Sequence, residues 1–283
     1  MRMTTFDTRV RESIVETPDT RTLVLEVSGR GAYRAGQYVS IDPHQFIGLR
    51  SFVAYLEQQK TRAEPPRAYS MSSAPHEDAL AITVKEEVFE PGQTKYPPLL
   101  SGFLVYHLRA GDEVTVLGYA GGYVLPEDIE DRTEHVLHLC AGSGSVPNYS
   151  MVKDSLHRHA RLRHTFVYSN KTWDDVIFRD GLDALEAGWP ERLRVVHTIT
   201  RASPAPLRSG IHRGRVNLDL LAPILDAEPD SLVFACGPAI SVWERRAAKA
   251  SGTTPTPRFL ESMLELLAEL GVPRARVKIE AFG

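Results

Sequence analysis

In the first half of the chain apolar and polar residues alternate with a period of two, and in the second half short apolar runs alternate with segments of helical periodicity. The segments TLVLEV (22–27), GQYVSI (36–41), LAITVKE (80–86) and DEVTVLG (112–118) combine β-branched and aromatic residues between glycine and proline turns. They predict an antiparallel barrel or sandwich. One stretch breaks the pattern. Phe46, Leu49, Phe52, Val53 and Leu56 fall at helical spacing, which predicts a helix inserted at 44–64. The acidic, proline-bearing PEDIEDRTE (126–134) separates the halves and sets an expected boundary between domains of 1–130 and 131–283. Beyond it the pattern gives strand 135–140, helix 147–159, strand 164–169, helix 173–187, strand 193–200, helix 217–226, strand 231–236, helices 238–250 and 257–270, and strand 276–282. Such alternation predicts a parallel sheet with helices on both faces, where ligands lie at the carboxyl ends of strands near a reversal of strand order.

Length and composition narrow the class. The 283 residues suffice for two domains with their own cores, and 42% hydrophobic and 24% charged residues are ordinary for a globular chain. A formal charge of −3 gives no general pull toward nucleic acid or an anionic membrane. Two cysteines, Cys140 and Cys236, are too few for a disulfide scaffold or a four-thiolate iron–sulfur cluster, so a reducing cytoplasm is the expected setting. The opening MRMTTFDTRVRESIV lacks the apolar core of a secretory signal, and no apolar stretch approaches the roughly 20 residues that span a bilayer.

The candidate chemistry sits at the ends of strands. CAGSGSVPNYS (140–150) follows an apolar run, and Pro147 suits a first helical turn, where its missing N–H would be unpaired anyway. Gly142 and Gly144 let backbone approach another object, and an exposed helix start attracts anions. A glycine-rich junction alone serves packing as readily as binding. A second junction, Cys236-Gly237-Pro238, ends another apolar strand, and two such ends in one parallel sheet would face one crevice. In the first half, PPRAYSMSSAP places Arg67 and Tyr69 on one face of an extended segment and Ser70 on the other. Arginine forks onto phosphate, tyrosine offers a flat face to a ring, and serine bonds a heteroatom; an ordinary edge strand would read the same way.

Taken in order, GQYV (36–39), RAYS (67–70), ITVKE (82–86), Ser101 followed by FL and AGDEV, AGSGSVP, YSNKTWDDVIFRDGL (168–182), CGP and the closing VKIEAFG resemble the ferredoxin–NADP reductase-like flavoproteins, especially reductase components of multicomponent oxygenases. The resemblance covers nearly the whole chain. It implies a flavin-binding Greek-key antiparallel β-barrel followed by a Rossmann-like α/β domain that binds a nicotinamide nucleotide, with hydride taken from NAD(P)H at a crevice between them. For FAD it implies Arg67 on the pyrophosphate, Ala68 beside it, Tyr69 against the isoalloxazine or ribityl, and Ser70 near N5, the atom that accepts hydride. Thr83, Val84 and Lys85 offer backbone, while Leu100 and Ser101 start a helix at the phosphates; Pro98 stands where the family usually has glycine. For the nicotinamide nucleotide it implies Gly142, Ser143, Gly144 and Pro147 at the pyrophosphate or ribose and Cys236, Gly237 and Pro238 lining the nicotinamide pocket. Cys236 would lie close to the hydride-donating carbon, and Glu280 and Phe282 belong to a terminal motif whose aromatic residue covers the flavin face. A packing role for Phe282 stands as the alternative.

Charge near the adenosine ribose separates the two donors, because a 2′-phosphate wants arginine and a bare hydroxyl a carboxylate. Arg201 and Lys171 therefore favour NADPH, with NADH as the alternative. His157, His159 and His164, set among arginines in HRHARLRH, read as a basic docking face or a solvated helix end rather than a metal site. No Gly-x-Ser-x-Gly elbow is present, which excludes an α/β-hydrolase. The expected activity is an FAD-dependent NAD(P)H oxidoreductase passing electrons to a separate iron–sulfur protein or oxygenase component. A stand-alone flavin or quinone reductase and a non-catalytic nucleotide-binding subunit are the rivals.

Overall fold

The period-two segments of the first half pair into one antiparallel sheet of six strands: β1 (Thr5–Thr17), β2 (Thr20–Val27), β3 (Tyr38–Ile41), β4 (Arg67–Ser70), β5 (Leu80–Lys85) and β6 (Glu113–Ala120), in the order β4-β3-β6-β1-β2-β5. The structure is a computed structural model that describes residues 5–29, 31–89, 94–201 and 210–282. The sheet's two edges meet. Met71 bridges Ile82, and the Ser72 N–H donates to the Ala81 carbonyl at 2.8 Å, closing the sheet into a barrel. Because β3, β4 and β5 follow one another around it while β6 returns beside β3, the connection is a Greek key. Inward-facing Leu23, Leu25, Val39, Ile41, Leu80, Ile82, Val114 and Val116 fill the interior. The expected inserted helix is α1 (Arg50–Lys60), preceded by two short 3-10 turns, and its buried Val53 and Leu56 join the same core. A short α2 (Ser101–Tyr106) follows β5.

The chain divides into two units, Met1–Val124 and Leu125–Gly283. The division falls before the expected 130/131 boundary because the acidic linker folds onto the second unit. Glu130, in α3 (Ile129–Arg132), accepts the Arg161 N–H at 3.4 Å and lies 3.4 Å from His159 Nδ1.

The second unit alternates β7 (His135–Ala141), α4 (Ser145–Arg158), β8 (Arg163–Asn170), α5 (Arg179–Gly188), β9 (Leu193–Ile199), β10 (His212–Arg213), α6 (Leu218–Ala227), β11 (Leu232–Pro238), α7 (Val242–Ser251), α8 (Phe259–Glu269) and β12 (Val277–Phe282). All sheet pairings are parallel, in the order β10-β9-β8-β7-β11-β12. One face packs Leu137, Val167, Val233 and Ala235 against Leu221, Leu260 and Met263 of α6 and α8; the other packs Cys140, Phe166 and Tyr168 against Val146 and Val152 of α4 and Leu182 of α5. Helix 173–187 is interrupted, because Phe178 takes a left-handed φ of 58° and α5 starts only after it. α7 begins at Val242 rather than 238, since β11 runs on through Pro238 and the Ser241 hydroxyl caps the helix by accepting the Glu244 N–H at 3.1 Å.

Candidate functional site

Strand order in the parallel sheet reverses at β7, so the ends of β7 and β11 are the point where such sheets bind ligands. Cys140 lies opposite Cys236, and Cys236 opposite Glu280, so the three share one face in a row across β7, β11 and β12. Both cysteines are free and fully buried. Burial first, then the nearby Glu280 and Cys140, pushes the Cys236 thiol up, so this position contributes a small neutral group and backbone to the strand end. Glu280 differs. Burial pushes its carboxyl up to about 7, and its buried Oε2 has no hydrogen-bond partner among the described residues. A carboxyl raised toward neutrality by burial, with one oxygen unsatisfied at a switch point, is a candidate for binding a ligand or exchanging a proton.

The same shift carries a stability signature. Because the folded value of about 7 exceeds the ordinary 4.5, the native state holds a proton that the unfolded chain releases. The contribution is complete below about pH 4.5 and is lost as pH rises through 7. Between those limits this group lowers stability by up to about 1.4 kcal/mol per pH unit. Denaturant midpoints measured from pH 4.5 to 8 should fall less steeply for Glu280→Gln than for the native chain; parallel curves would contradict the assignment.

The glycine-rich junction is a 3-10 turn (Gly142–Gly144) running into α4, with Pro147 buried in the first helical turn and Ser143 half-buried. Its two glycines do different work. Gly142 takes a φ of 52°, and a Cβ built there meets nothing within 4 Å among the described residues. At Gly144 a Cβ would overlap the Cys236 carbonyl and stand 2.9 Å from the Gly237 nitrogen, so this glycine lets the helix start lie against β11. The turn's carbonyls are bonded inward: the Tyr168 hydroxyl donates to the Gly142 carbonyl at 3.0 Å and the Asn148 amide to that of Gly144 at 3.0 Å. No side chain caps the start of α4; the Ser145 N–H bonds back to the Gly142 and Ser143 carbonyls and Pro147 carries none, so what this helix start offers an anion is chiefly the positive end of its dipole. An open, positively polarised cradle of this kind fits a dinucleotide pyrophosphate.

At the ends of β8 and β9 the Thr200 N–H donates to the Asn170 carbonyl and the Arg201 N–H to the Lys171 carbonyl, each at 2.9 Å. The two exposed cations proposed for donor selection are thus neighbours across the strand ends. Phe282 lies half-buried opposite Pro238 at the end of β11, and Gly237 packs against Phe259 and Ala141. The final Gly283 lies outside the described residues.

In the first unit the predicted residues gather along the barrel's seam. The Met71–Ile82 bridge is not continued toward Arg67 and Lys85 among the described residues, so the facing edges of β4 and β5 carry unpaired backbone groups there. Arg67, Tyr69 and Ser70 lie on one side of this opening and Thr83, Val84 and Lys85 on the other. Unpaired amides and carbonyls between a cation and an aromatic ring fit a ribityl chain and its phosphates. Burial, then the Glu87 carboxylate, holds the Tyr69 phenol above its ordinary range, so the ring is neutral. Ala68 is exposed and Ser70 buried. The side chains of Thr83 and Lys85 are committed elsewhere, to the Thr22 hydroxyl at 2.7 Å and to Asp19 at 2.6 Å, which leaves these residues their backbone. Leu100 packs in the core, and the Ser101 hydroxyl accepts the Glu87 N–H at 3.1 Å.

Sequence reasoning missed Glu64. Its almost wholly buried carboxylate pairs with Arg67 at 2.5 Å and Lys60 of α1 at 2.6 Å, fixing the guanidinium that the resemblance assigns to phosphate. The three-residue spacing from Arg67 was the available signal. His164 is also not where the basic run suggested: it is buried in β8 and bonded to His138, so it belongs to no docking face. Of its neighbours, Arg163 pairs with Glu228 at 2.9 Å, Arg158 with Asp154 at 3.2 Å and His159 with Glu130.

A Greek-key barrel followed by a parallel sheet with a glycine-rich switch-point loop is the architecture of the ferredoxin–NADP reductase-like oxidoreductases. Residues 139–241 match the family model for the oxidoreductase NAD-binding domain. Over 280 residues it is 29% identical to the ferredoxin reductase component of 3-ketosteroid-9-alpha-monooxygenase from Mycobacterium tuberculosis, covering 98% of this chain and 65% of that protein. The corresponding component from Mycolicibacterium smegmatis is 30% identical over 250 residues, 88% of this chain and 62% of the relative. The chain therefore spans less than two thirds of the length of these relatives. Among solved structures, the FAD/NAD-binding domain of nitric oxide dioxygenase from Vibrio cholerae is similar with a TM-score of 0.69 at 23% identity over 98% of both chains. The ferredoxin reductase of a carbazole 1,9a-dioxygenase gives 0.71 at 17% identity over 99% of this chain and 69% of that one. No helix among the described residues is long and apolar enough to cross a membrane.

Proposed function

We propose that this chain is an FAD-dependent NAD(P)H oxidoreductase that passes electrons to a separate ferredoxin or oxygenase component. The observation that carries the reading is the convergence, at the sheet's switch point, of an open glycine cradle and the unsatisfied carboxyl of Glu280. The seam of the first unit supports flavin binding by the same logic, with Arg67 as the phosphate fork, Tyr69 as the ring platform and Ser70 as the hydroxyl for N5. FAD, when bound, would supply acceptance of one hydride, with its two electrons, and release of those electrons one at a time. The chain's own part is to orient the rings and bind phosphate, and at Glu280 to hold a proton near neutrality. Relatives named as reductase components of a monooxygenase support a protein acceptor. Two free, buried thiols accord with a reducing cytoplasm, where we place the protein.

Adjacent Lys171 and Arg201 favour NADPH as donor. The purified chain supplemented with FAD should show a flavin absorbance band that bleaches under anaerobic NADPH at lower concentration than under NADH. Lys171→Ala together with Arg201→Ala should raise the KM for NADPH about tenfold or more and leave that for NADH within about twofold. A chain that takes up no flavin would leave only the non-catalytic subunit. Bleaching followed by turnover with free quinone or flavin, and none with iron–sulfur proteins of the native host, would favour the stand-alone reductase instead.

A further inference from the structure

Four buried side chains that the proposed chemistry does not use lie in one hydrogen-bonded file behind the glycine cradle. His164 Nε2 is 2.8 Å from the Ser155 hydroxyl, His164 Nδ1 is 3.1 Å from His138 Nε2, and His138 Nδ1 is 2.8 Å from Asn148 Oδ1. Asn148 Nδ2 then donates to the Gly144 carbonyl at 3.0 Å. The file leaves α4 at Ser155, crosses β8 and β7, and returns to the same helix one heptad earlier. Ser155, His138 and Asn148 are 0% exposed and His164 2%, so bulk solvent does not compete for these bonds.

The chemistry of the end groups fixes every proton. A carbonyl oxygen can only accept, so the NH2 of Asn148 must face Gly144 and its Oδ1 must face His138. His138 Nδ1 therefore carries hydrogen. Burial pushes this ring down to about 4 and holds His164 well below its ordinary value, so both are neutral and each carries one hydrogen. His138 Nε2 then accepts, which requires the hydrogen of His164 on Nδ1, and His164 Nε2 accepts from Ser155. All four bonds point one way, toward the loop.

What the file holds at its end matters for an anion. The Gly144 carbonyl is bonded by Asn148, while the N–H of the same peptide, on Ser145, bonds back to the carbonyls of Gly142 and Ser143. Tyr168 secures the Gly142 carbonyl. A phosphate-binding loop must keep its carbonyl dipoles turned away from the ligand, since an acceptor facing phosphate repels it. We propose that His138 is a positioning residue, which through the one-way file of Ser155, His164 and Asn148 pins the Gly144 carbonyl inward and so keeps the loop competent for the dinucleotide pyrophosphate. The proposal rests on nicotinamide-nucleotide binding at this cradle, and it adds the device that shapes the cradle.

Two measurements test it. In the full chain labelled with 15N-histidine, long-range 15N–1H spectra should show His138 and His164 with hydrogen on Nδ1; hydrogen on Nε2 of His138 overturns the proposal by itself. Second, His138→Asn keeps a donor near the Nδ1 position and loses the bond to His164, whereas His138→Gln keeps an acceptor near Nε2 and loses donation to Asn148. Each removes one bond, and because asparagine is a methylene smaller than glutamine, His138→Asn should lose more thermal stability, the order opposite to the binding effect expected below. The two variants should part in calorimetric titration of the FAD-loaded protein with NADP+ and NAD+. His138→Gln should weaken binding about tenfold and His138→Asn by no more than about twofold. Equal weakening in both variants, or none in either, overturns the positioning role alone. A native chain that binds neither nucleotide overturns the functional reading and this inference with it.

Discussion

Gly144→Ala should unfold a large fraction of the protein at temperatures the native chain survives. The methyl group would be driven into the carbonyl of Cys236, and its neighbours there are backbone atoms of β11, which cannot swing aside as a side chain would. Either the first turn of α4 lifts from the sheet, exposing Val146 and Pro147, or β11 shifts against β7 and β12. Both displace groups that are now fully buried, and overpacking without a rotamer escape costs about 3 kcal/mol or more. Gly142→Ala is the informative contrast. No described atom crowds its Cβ, but the residue holds a φ of 52°, so the expected cost is only about 1–2 kcal/mol of backbone strain. The methyl group would instead occupy the open side of the cradle. Urea denaturation should show a much lower midpoint for Gly144→Ala than for Gly142→Ala. Gly142→Ala, still folded, should bind nicotinamide nucleotide poorly. If Gly144→Ala unfolds at the native midpoint, the close approach of helix and strand is wrong.

The same pair of glycines shows where sequence was informative. Both were visible as a strand-to-helix junction because β7 and β11 are apolar on both faces, the mark of a strand covered by helices, and each ends in small residues before a proline. Which glycine faces open space and which faces backbone depends on β11, some ninety residues away in sequence, and no local pattern carries that. β1 went unread for a different reason. Arg9, Arg11 and Glu12 are exposed along it, Glu16 is half-buried, and only Thr8, Val10 and Thr17 are buried, so alternation is masked by charge. β10 is two exposed residues long and has no period to detect. His164 was drawn into a basic run by its arginine neighbours. Its alternation on β8 turns it to the face opposite Arg163, where it meets His138. Arg67, Tyr69 and Ser70 were legible as a motif, whereas the unpaired seam beside them is a product of barrel closure and the carboxylate behind them showed only as a three-residue spacing.

That carboxylate couples Arg67 to the core of the first unit. Burial alone would push the Glu64 carboxyl up; bonds with Lys60 and Arg67 outweigh it and hold the group below its ordinary value. The arrangement is therefore stabilising at neutral pH and weakens as acid protonates Glu64. Arg67→Ala removes one of the two cations and leaves an almost wholly buried charge balanced by Lys60 alone, which should cost on the order of 3 kcal/mol. It also removes the forked donor proposed for the flavin pyrophosphate, so the variant should purify without a visible flavin band. The two effects separate in a double-mutant cycle. Adding Glu64→Gln to Arg67→Ala removes the stranded charge and should recover much of the lost stability without restoring the flavin. Glu64→Gln alone should fold, retain Arg67, and bind FAD more weakly than the native chain because the guanidinium is no longer held. Cycle energies near zero by urea denaturation would mean that Glu64 and Arg67 are not coupled. Full flavin content in Arg67→Ala would remove Arg67 from the cofactor site. The inserted helix gains a role from the same argument. Lys60 at its end completes the pairing of Glu64, while Glu57 one turn earlier accepts the Glu64 N–H at 2.9 Å and bonds His44 at 2.9 Å, so the insertion braces the arginine proposed for the flavin phosphate.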